Sequence, residues 1–256
     1  MDNRPIGVFD SGLGGISVLC EALKQLPNEN FAYYGDTKHI PYGDKSPEDV
    51  LRFTHLAMDE LLSLGCKAIV IACNTATAVA AKQLRRELDL PIIGMEPALK
   101  PASLIEREGS VLVMATRLTL SQPKFLELMM RCGQDAVPVP CPGLMQCVEA
   151  GELSGEHVNN LLSTLLKPHL DKPVKAVVLG CTHYVFLKKT IASFFPPDVA
   201  LIDGNEGTIR QLRHRLADAD LLCNTQGGHL QFLSSMHDEE TPKLMQKMLN
   251  LCAKSA

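Results

Sequence analysis

Two ten-residue stretches constrain this chain more than anything else in it. "KAIVIACNTA" (67–76) and "KAVVLGCTHY" (175–184) are near copies, each an apolar β-branched run that stops at a cysteine followed by polar residues. Each reads as a buried strand whose last residue delivers Cys73 or Cys181 to a strand end. Around them, short apolar runs alternate with helical patterns from end to end. Strands are expected at Ile6–Asp10, Asn30–Gly35, Ala68–Cys73, Pro91–Met95, Val111–Ala115, Asp135–Val139, Ala176–Cys181, Val199–Asp203 and Leu221–Asn224. Helices are expected near 14–26, 46–64, 75–88, 121–131, 154–170, 184–194 and 205–217, with an amphipathic one at 241–252. Ser46-Pro47-Glu48-Asp49 is a good helix start: a capping serine, proline at the first helical position, and acids in the first turn. Near-continuous apolar strands alternating with helices argue for parallel sheets covered on both faces.

The repeat reaches beyond one decapeptide. Ile6–Asp10 ends in "DSGLGG" and Val111–Ala115 ends in "TRLTLS", so each half has a polar strand end followed, at nearly the same interval, by a cysteine strand end. The expected fold is α/β: two similar doubly wound parallel-sheet domains related by a pseudo-twofold axis. Residues 1–97 with 205–256 would form the first domain and 98–204 the second. Ligands of open α/β sheets bind beyond the carboxyl ends of the strands, so both cysteines would face one interdomain cleft.

Composition narrows the partners. Net charge is −4 in 256 residues and lysines and arginines do not cluster, so no nucleic-acid role is expected. No apolar run approaches the roughly 20 residues of a bilayer span, and the first strand-like run begins too early for a signal peptide. No membrane association is expected, and a cytoplasmic location is. The nine cysteines include no C-x-x-C pair, and the Cys141–Cys147 spacing fits no common zinc site, so no metal is expected. Cys20, Cys66, Cys132, Cys147, Cys223 and Cys252 read as thiols acting as small hydrophobes.

Cys73 and Cys181 read differently, because each stands at the start of a helical pattern, where the dipole and free N–H groups favour thiolate. Two acid–base groups on opposite walls of one small cleft suit inversion at a carbon: one removes a proton, the other delivers one to the opposite face. That chemistry needs no cofactor. Ser11, Asn74, Thr75, Thr116, Thr119 and Thr182 crowd the same strand ends and suit a carboxylate ligand, while Asp10 could bind an ammonium group or orient Cys73. Covalent attack by one cysteine would leave the second unexplained. "GLGGIS" (12–17), with Asp36 about 20 residues on, also has the outline of a dinucleotide fingerprint, but Ser17 breaks the pattern and neither cysteine strand would have a role. A one-cysteine decarboxylase or isomerase, or an amino-acid-binding thiol sensor, leaves one or both cysteines idle.

"FDSGLGGISVL" (9–19), "YGDTKHIPYG" (34–43), "ACNTAT" (72–77) and "GCTHY" (180–184) resemble, in that order, the glutamate racemases of bacterial cell-wall synthesis. "ATRLTLS" (115–121), "CVEAGEL" (147–153) and "LIDGNEGT" (201–208) extend the likeness over nearly the whole chain. The resemblance implies a cofactor-independent enzyme interconverting L- and D-glutamate, with Cys181 taking the proton from the L-isomer and Cys73 from the D-isomer. It implies that Asp10 assists Cys73 and that His183 assists Cys181, with Glu149 nearby, although Glu152 sits in the same segment. It places Ser11, Tyr42, Gly43, Asn74, Thr75 and Thr182 against the substrate, with Thr116 and Thr119 as additions. A homodimer and a peptidoglycan-precursor nucleotide acting as activator are further implications.

Overall fold

The computed structural model describes residues 2–255 apart from 224–227. Nine strands are present among the described residues: β1 (Ile6–Asp10), β2 (Phe31–Gly35), β3 (Ala68–Ile71), β4 (Ile92–Gly94), β5 (Ser110–Ala115), β6 (Ala136–Pro140), β7 (Val174–Leu179), β8 (Ala200–Ile202) and β9 (Leu230–Ser234). They form two sheets, in the orders β4-β3-β1-β2-β9 and β6-β5-β7-β8, and every pairing is parallel. Read from the other edge, the second sheet is β8-β7-β5-β6. Its order therefore reproduces the first four strands of the other sheet, one for one, and β9 is the added member.

Burial explains why these segments are strands. Every residue of β1, β2 and β3 is buried, as is all of β7. A parallel strand covered by helices on both faces cannot alternate, so it reads as an unbroken apolar run. Each fully buried Ile, Val or Phe in them contributes about 1.5–3 kcal/mol relative to exposure. The helix Pro47–Ser63 begins as its sequence requires, with Ser46 Oγ accepting from Asp49 N at 3.1 Å.

The duplication extends to the base of each cysteine strand. Lys67, just before β3, pairs with Glu29, just before β2, at 2.6 Å. Lys175, within β7, pairs with Asp135, just before β6, at 3.2 Å.

One expected strand is corrected. Leu221–Cys223 are not in a strand, and Asn224 lies outside the described residues. The backbone there serves the buried ion pair instead: Leu221 O accepts from Lys67 Nζ at 2.8 Å and Cys223 N donates to Glu29 Oε1 at 2.8 Å. The strand that extends the sheet is β9, in register with β2 from Phe31↔Leu230 to Gly35↔Ser234. Three short helices, Leu99–Ser103, Arg117–Ser121 and Leu144–Glu149, are present beyond those expected. No helix among the described residues is long and apolar enough to cross a membrane.

Candidate active site

Adjacent strands put the reactive residues side by side. β1 ends at Asp10, and its neighbour β3 leads through Ala72 to Cys73. β5 leads to Thr116, and its neighbour β7 leads through Gly180 to Cys181.

Cys73 occupies the N-cap of the helix Asn74–Glu87, and its sulfur accepts from Ala76 N at 3.4 Å. Ser11 Oγ lies 3.4 Å from the same sulfur. The helix terminus is where the sequence places it, but its expected effect on the thiol is overturned. Burial, reinforced by the nearby Asp10 carboxylate, pushes Cys73 up to about 12, against which the Ser11 and Ala76 bonds are too weak. Removing a thiolate from water costs more than a single helix end returns.

Cys181 has different surroundings. No long helix follows it; a 3₁₀ segment, Thr182–Leu187, leads into the short helix Lys188–Ala192, and the cysteine side chain caps neither. Its sulfur lies 3.6 Å from His183 Nδ1. His183 Nε2 meets Glu149 Oε1 at 2.5 Å. Burial alone would depress the imidazole, but its bonds to Cys181 and Glu149 outweigh that and hold His183 well above the usual histidine range. Glu149 Oε1 also accepts from Leu13 N at 2.7 Å, which ties this second-half acid to the loop after β1. Glu152 is elsewhere, paired with the exposed His157 at 2.6 Å. Of the two acids in that segment, Glu149 is the one that reaches the thiol's partner.

Asp10 is fully buried, and its hydrogen bonds go where its sequence neighbourhood did not suggest. Oδ2 accepts from Gly12 N at 3.0 Å and Oδ1 accepts from Thr182 Oγ1 at 3.2 Å, so the carboxylate reaches across to the Cys181 segment. It bears on Cys73 through its charge. Burial raises the Asp10 carboxyl above the usual carboxylate range, with the His183 charge and the Gly12 N–H only partly offsetting it.

The hydroxyls also join the two halves. Thr75 Oγ1 lies 3.0 Å from Thr116 Oγ1 and 3.1 Å from Thr119 Oγ1, and Thr116 bonds to Thr119 at 2.9 Å. Asn74 Nδ2 donates to Met95 O at 3.3 Å, whereas its Oδ1 is buried with no protein partner among the described residues. Tyr42 is buried with its hydroxyl donating to Asp36 Oδ2 at 2.6 Å, and His39 Nδ1 meets Asp36 Oδ1 at 2.8 Å. Asp36, the acid a dinucleotide fingerprint would use for ribose, is thus occupied in bracing the 39–44 turn. A Cβ on Gly43 would lie 2.7 Å from Thr116 Cβ, so glycine lets that turn close against the second half.

The glycine-rich loop resolves in the same way. A Cβ on Gly12 would collide with Glu149 Oε1, and one on Gly14 with His183 Nδ1 and Thr182 Oγ1. These glycines leave room for second-half side chains, in the space where a dinucleotide fingerprint would cradle phosphate. Nothing in the local pattern signals this; the colliding residues lie more than 130 positions away.

The chain matches the Asp/Glu/Hydantoin racemase family over residues 16–212. It is 48% identical over 255 residues to a glutamate racemase of Clostridium perfringens, with 98% of each chain covered. Its fold is similar to that of a glutamate racemase from Francisella tularensis in complex with D-glutamate, with TM-score 0.83, 31% identity and coverage of 98% and 95% of the two chains. It is also similar to the Escherichia coli glutamate racemase in complex with L-glutamate and the activator UDP-MurNAc-Ala, with TM-score 0.82, 26% identity and coverage of 96% and 95%. The chain belongs to this racemase family and, within it, to the glutamate racemases.

Proposed function

We propose that Cys73 and Cys181 are the two bases of a cofactor-independent 1,1-proton transfer that interconverts L- and D-glutamate, supplying the D-isomer for peptidoglycan. The observation that carries this reading is the loop Asp10–Gly12, which touches both thiol neighbourhoods: Ser11 bonds to Cys73, and Asp10 bonds to the residue after Cys181. In the L-to-D direction Cys181 removes the α-proton and the Cys73 thiol protonates the opposite face. The high value at Cys73 suits a donor, since burial keeps its proton on until a carbanion arrives. A cationic His183 beside Cys181, held by Glu149, balances the charge that sulfur carries as the base. Asp10 assists Cys73, through its charge in this arrangement.

The substrate carboxylates exchange the mutual bonds of Thr75, Thr116 and Thr119 for bonds to themselves, joined by Thr182 and the backbone of Tyr42 and Gly43. Asn74 Oδ1, buried without a protein partner among the described residues, receives the α-ammonium group together with Ser11. Residues 1–97 with 205–256 form one domain and 98–204 the other, a division supported by which strands share a sheet. The enzyme works in the cytoplasm, as a homodimer, and takes a peptidoglycan-precursor nucleotide as activator; the E. coli complex supports the last of these by analogy.

Circular dichroism of an L-glutamate solution tests the proposal. The signal decays to zero with the unmodified chain, and in deuterated water the α-carbon gains deuterium. Cys73→Ala and Cys181→Ala each lose about 10²–10⁴-fold in rate, the usual worth of a positioned acid or base. Full racemisation by either variant would remove the two-base assignment.

A further inference from the structure

Outside the proton-transfer centre, three residues of unlike chemistry converge on one spot. Cys147 lies on the helix Leu144–Glu149, Glu152 in the loop after it, and His157 in the first turn of Glu156–Leu166. A sulfur, a carboxylate oxygen and an imidazole nitrogen of these residues all lie within 4.8 Å of one another. The backbone holds them together: Glu152 N donates to Cys147 O at 2.8 Å, folding the loop back on the helix. His157 Nδ1 is 2.6 Å from Glu152 Oε2, while Cys147 is buried beneath them.

We propose that Cys147, Glu152 and His157 form a binding site for a zinc-like divalent cation, on the segment that carries Glu149. The donor set mixes a soft sulfur with a nitrogen and a hard oxygen, which suits Zn²⁺ better than Mg²⁺ or Ca²⁺. Zinc bonds of about 2.0–2.3 Å in tetrahedral geometry place ligand atoms roughly 3.3–3.8 Å apart. The observed spread closes to that by small rotations of Glu152 and His157, both exposed, which exchange their mutual 2.6 Å contact for bonds to the cation. Three protein ligands leave the fourth position to water. Spacing of the cysteines alone hides the site, because its partners are an acid five residues on and a histidine five beyond that. The bound cation staples the 150–156 loop to the helix that carries Glu149. This inference stands independently of the two-thiol reading.

Cobalt(II) titration of the full chain is the test, because a cysteine ligand gives a thiolate-to-cobalt charge-transfer band in the near ultraviolet. One equivalent is expected to bind with that band, and zinc to displace it. His157→Ala and Glu152→Gln, both at exposed positions, should weaken zinc binding at least about tenfold. Cys147→Ser should lose the band, whereas Cys73→Ala should keep it. Zinc should raise the melting temperature of the unmodified chain and not that of His157→Ala. Undiminished binding in His157→Ala and Glu152→Gln, a band that follows Cys73 or Cys181, or no stoichiometric binding at all would each overturn the site.

Discussion

The two halves share one plan yet treat their shared parts differently. Both open the cysteine strand with a buried lysine paired to an acid just before the strand two places along in the same sheet. In the first half the pair is sealed, with Lys67 and Glu29 side chains 0% and 2% exposed; in the second, Asp135 is 60% exposed. Both place a cysteine two residues beyond that strand, but one sulfur caps a helix beside Ser11, whereas the other lies against a histidine–glutamate pair. Equivalent positions thus do unequal work, because what surrounds a residue sets its energetics more than the element it sits on.

The largest expected contrast lies in the lysines. Lys67→Met strands the Glu29 charge in the interior and should cost about 3–5 kcal/mol. Lys175→Met leaves Asp135 in water and should cost no more than about 1 kcal/mol. Urea unfolding of both variants measures the difference, and equal losses would erase the distinction between the halves.

A smaller contrast concerns the two acids. Glu149→Gln weakens a charge-assisted hydrogen bond to His183, worth about 1.5–3 kcal/mol, or roughly 10–100-fold in rate. With Cys181 the base toward L-glutamate, as proposed, that loss should fall mainly on kcat from that isomer. Asp10→Asn should fall mainly on the D-glutamate direction. Initial rates at saturating concentrations of each isomer decide this, because kcat/KM must fall equally in both directions, and symmetrical losses of kcat in both variants would break the pairing of acid with thiol.

The mildest effect is on stability against pH. Cys73 is raised in the folded chain, from 9.0 to about 12, so the fold binds its proton more tightly than the unfolded chain does. This contribution is complete below about pH 9 and disappears as pH climbs toward 12. His183 is raised as well, so its share is complete below about 6.5 and is lost as pH rises through its higher folded value. Unfolding midpoints across alkaline pH should therefore fall less steeply in Cys73→Ser than in the unmodified chain. Parallel slopes would mean that Cys73 titrates alike in both states.

Much of this was legible in the chain itself. Strands buried on both faces have to be continuous apolar runs, which is why "KAIVIAC" and "KAVVLGC" could be read, and their repetition foretold two sheets of one order. β9 could not be read, because an edge strand with half-exposed residues has no such run, and its neighbour Leu221–Cys223 imitates one while serving an ion pair. The Cys73 thiol misled for a related reason: a helix start is a local signal, whereas the burial that outweighs it comes from the whole fold. Asp10 and Thr182, 172 residues apart, show the same limit, since a bond between halves leaves no mark in either.

The crossing contacts carry one more implication. Leu13 N grips an acid from the other half, Asp10 grips a hydroxyl from it, and the bare backbone of Gly12 and Gly14 admits both approaches. The centre therefore behaves like a caliper, correct at one setting of its jaws. For the proposed proton transfer, a shift of about an ångström between the two halves would cost about 10²-fold in rate with each sheet intact, so anything that fixes that gap sets the rate.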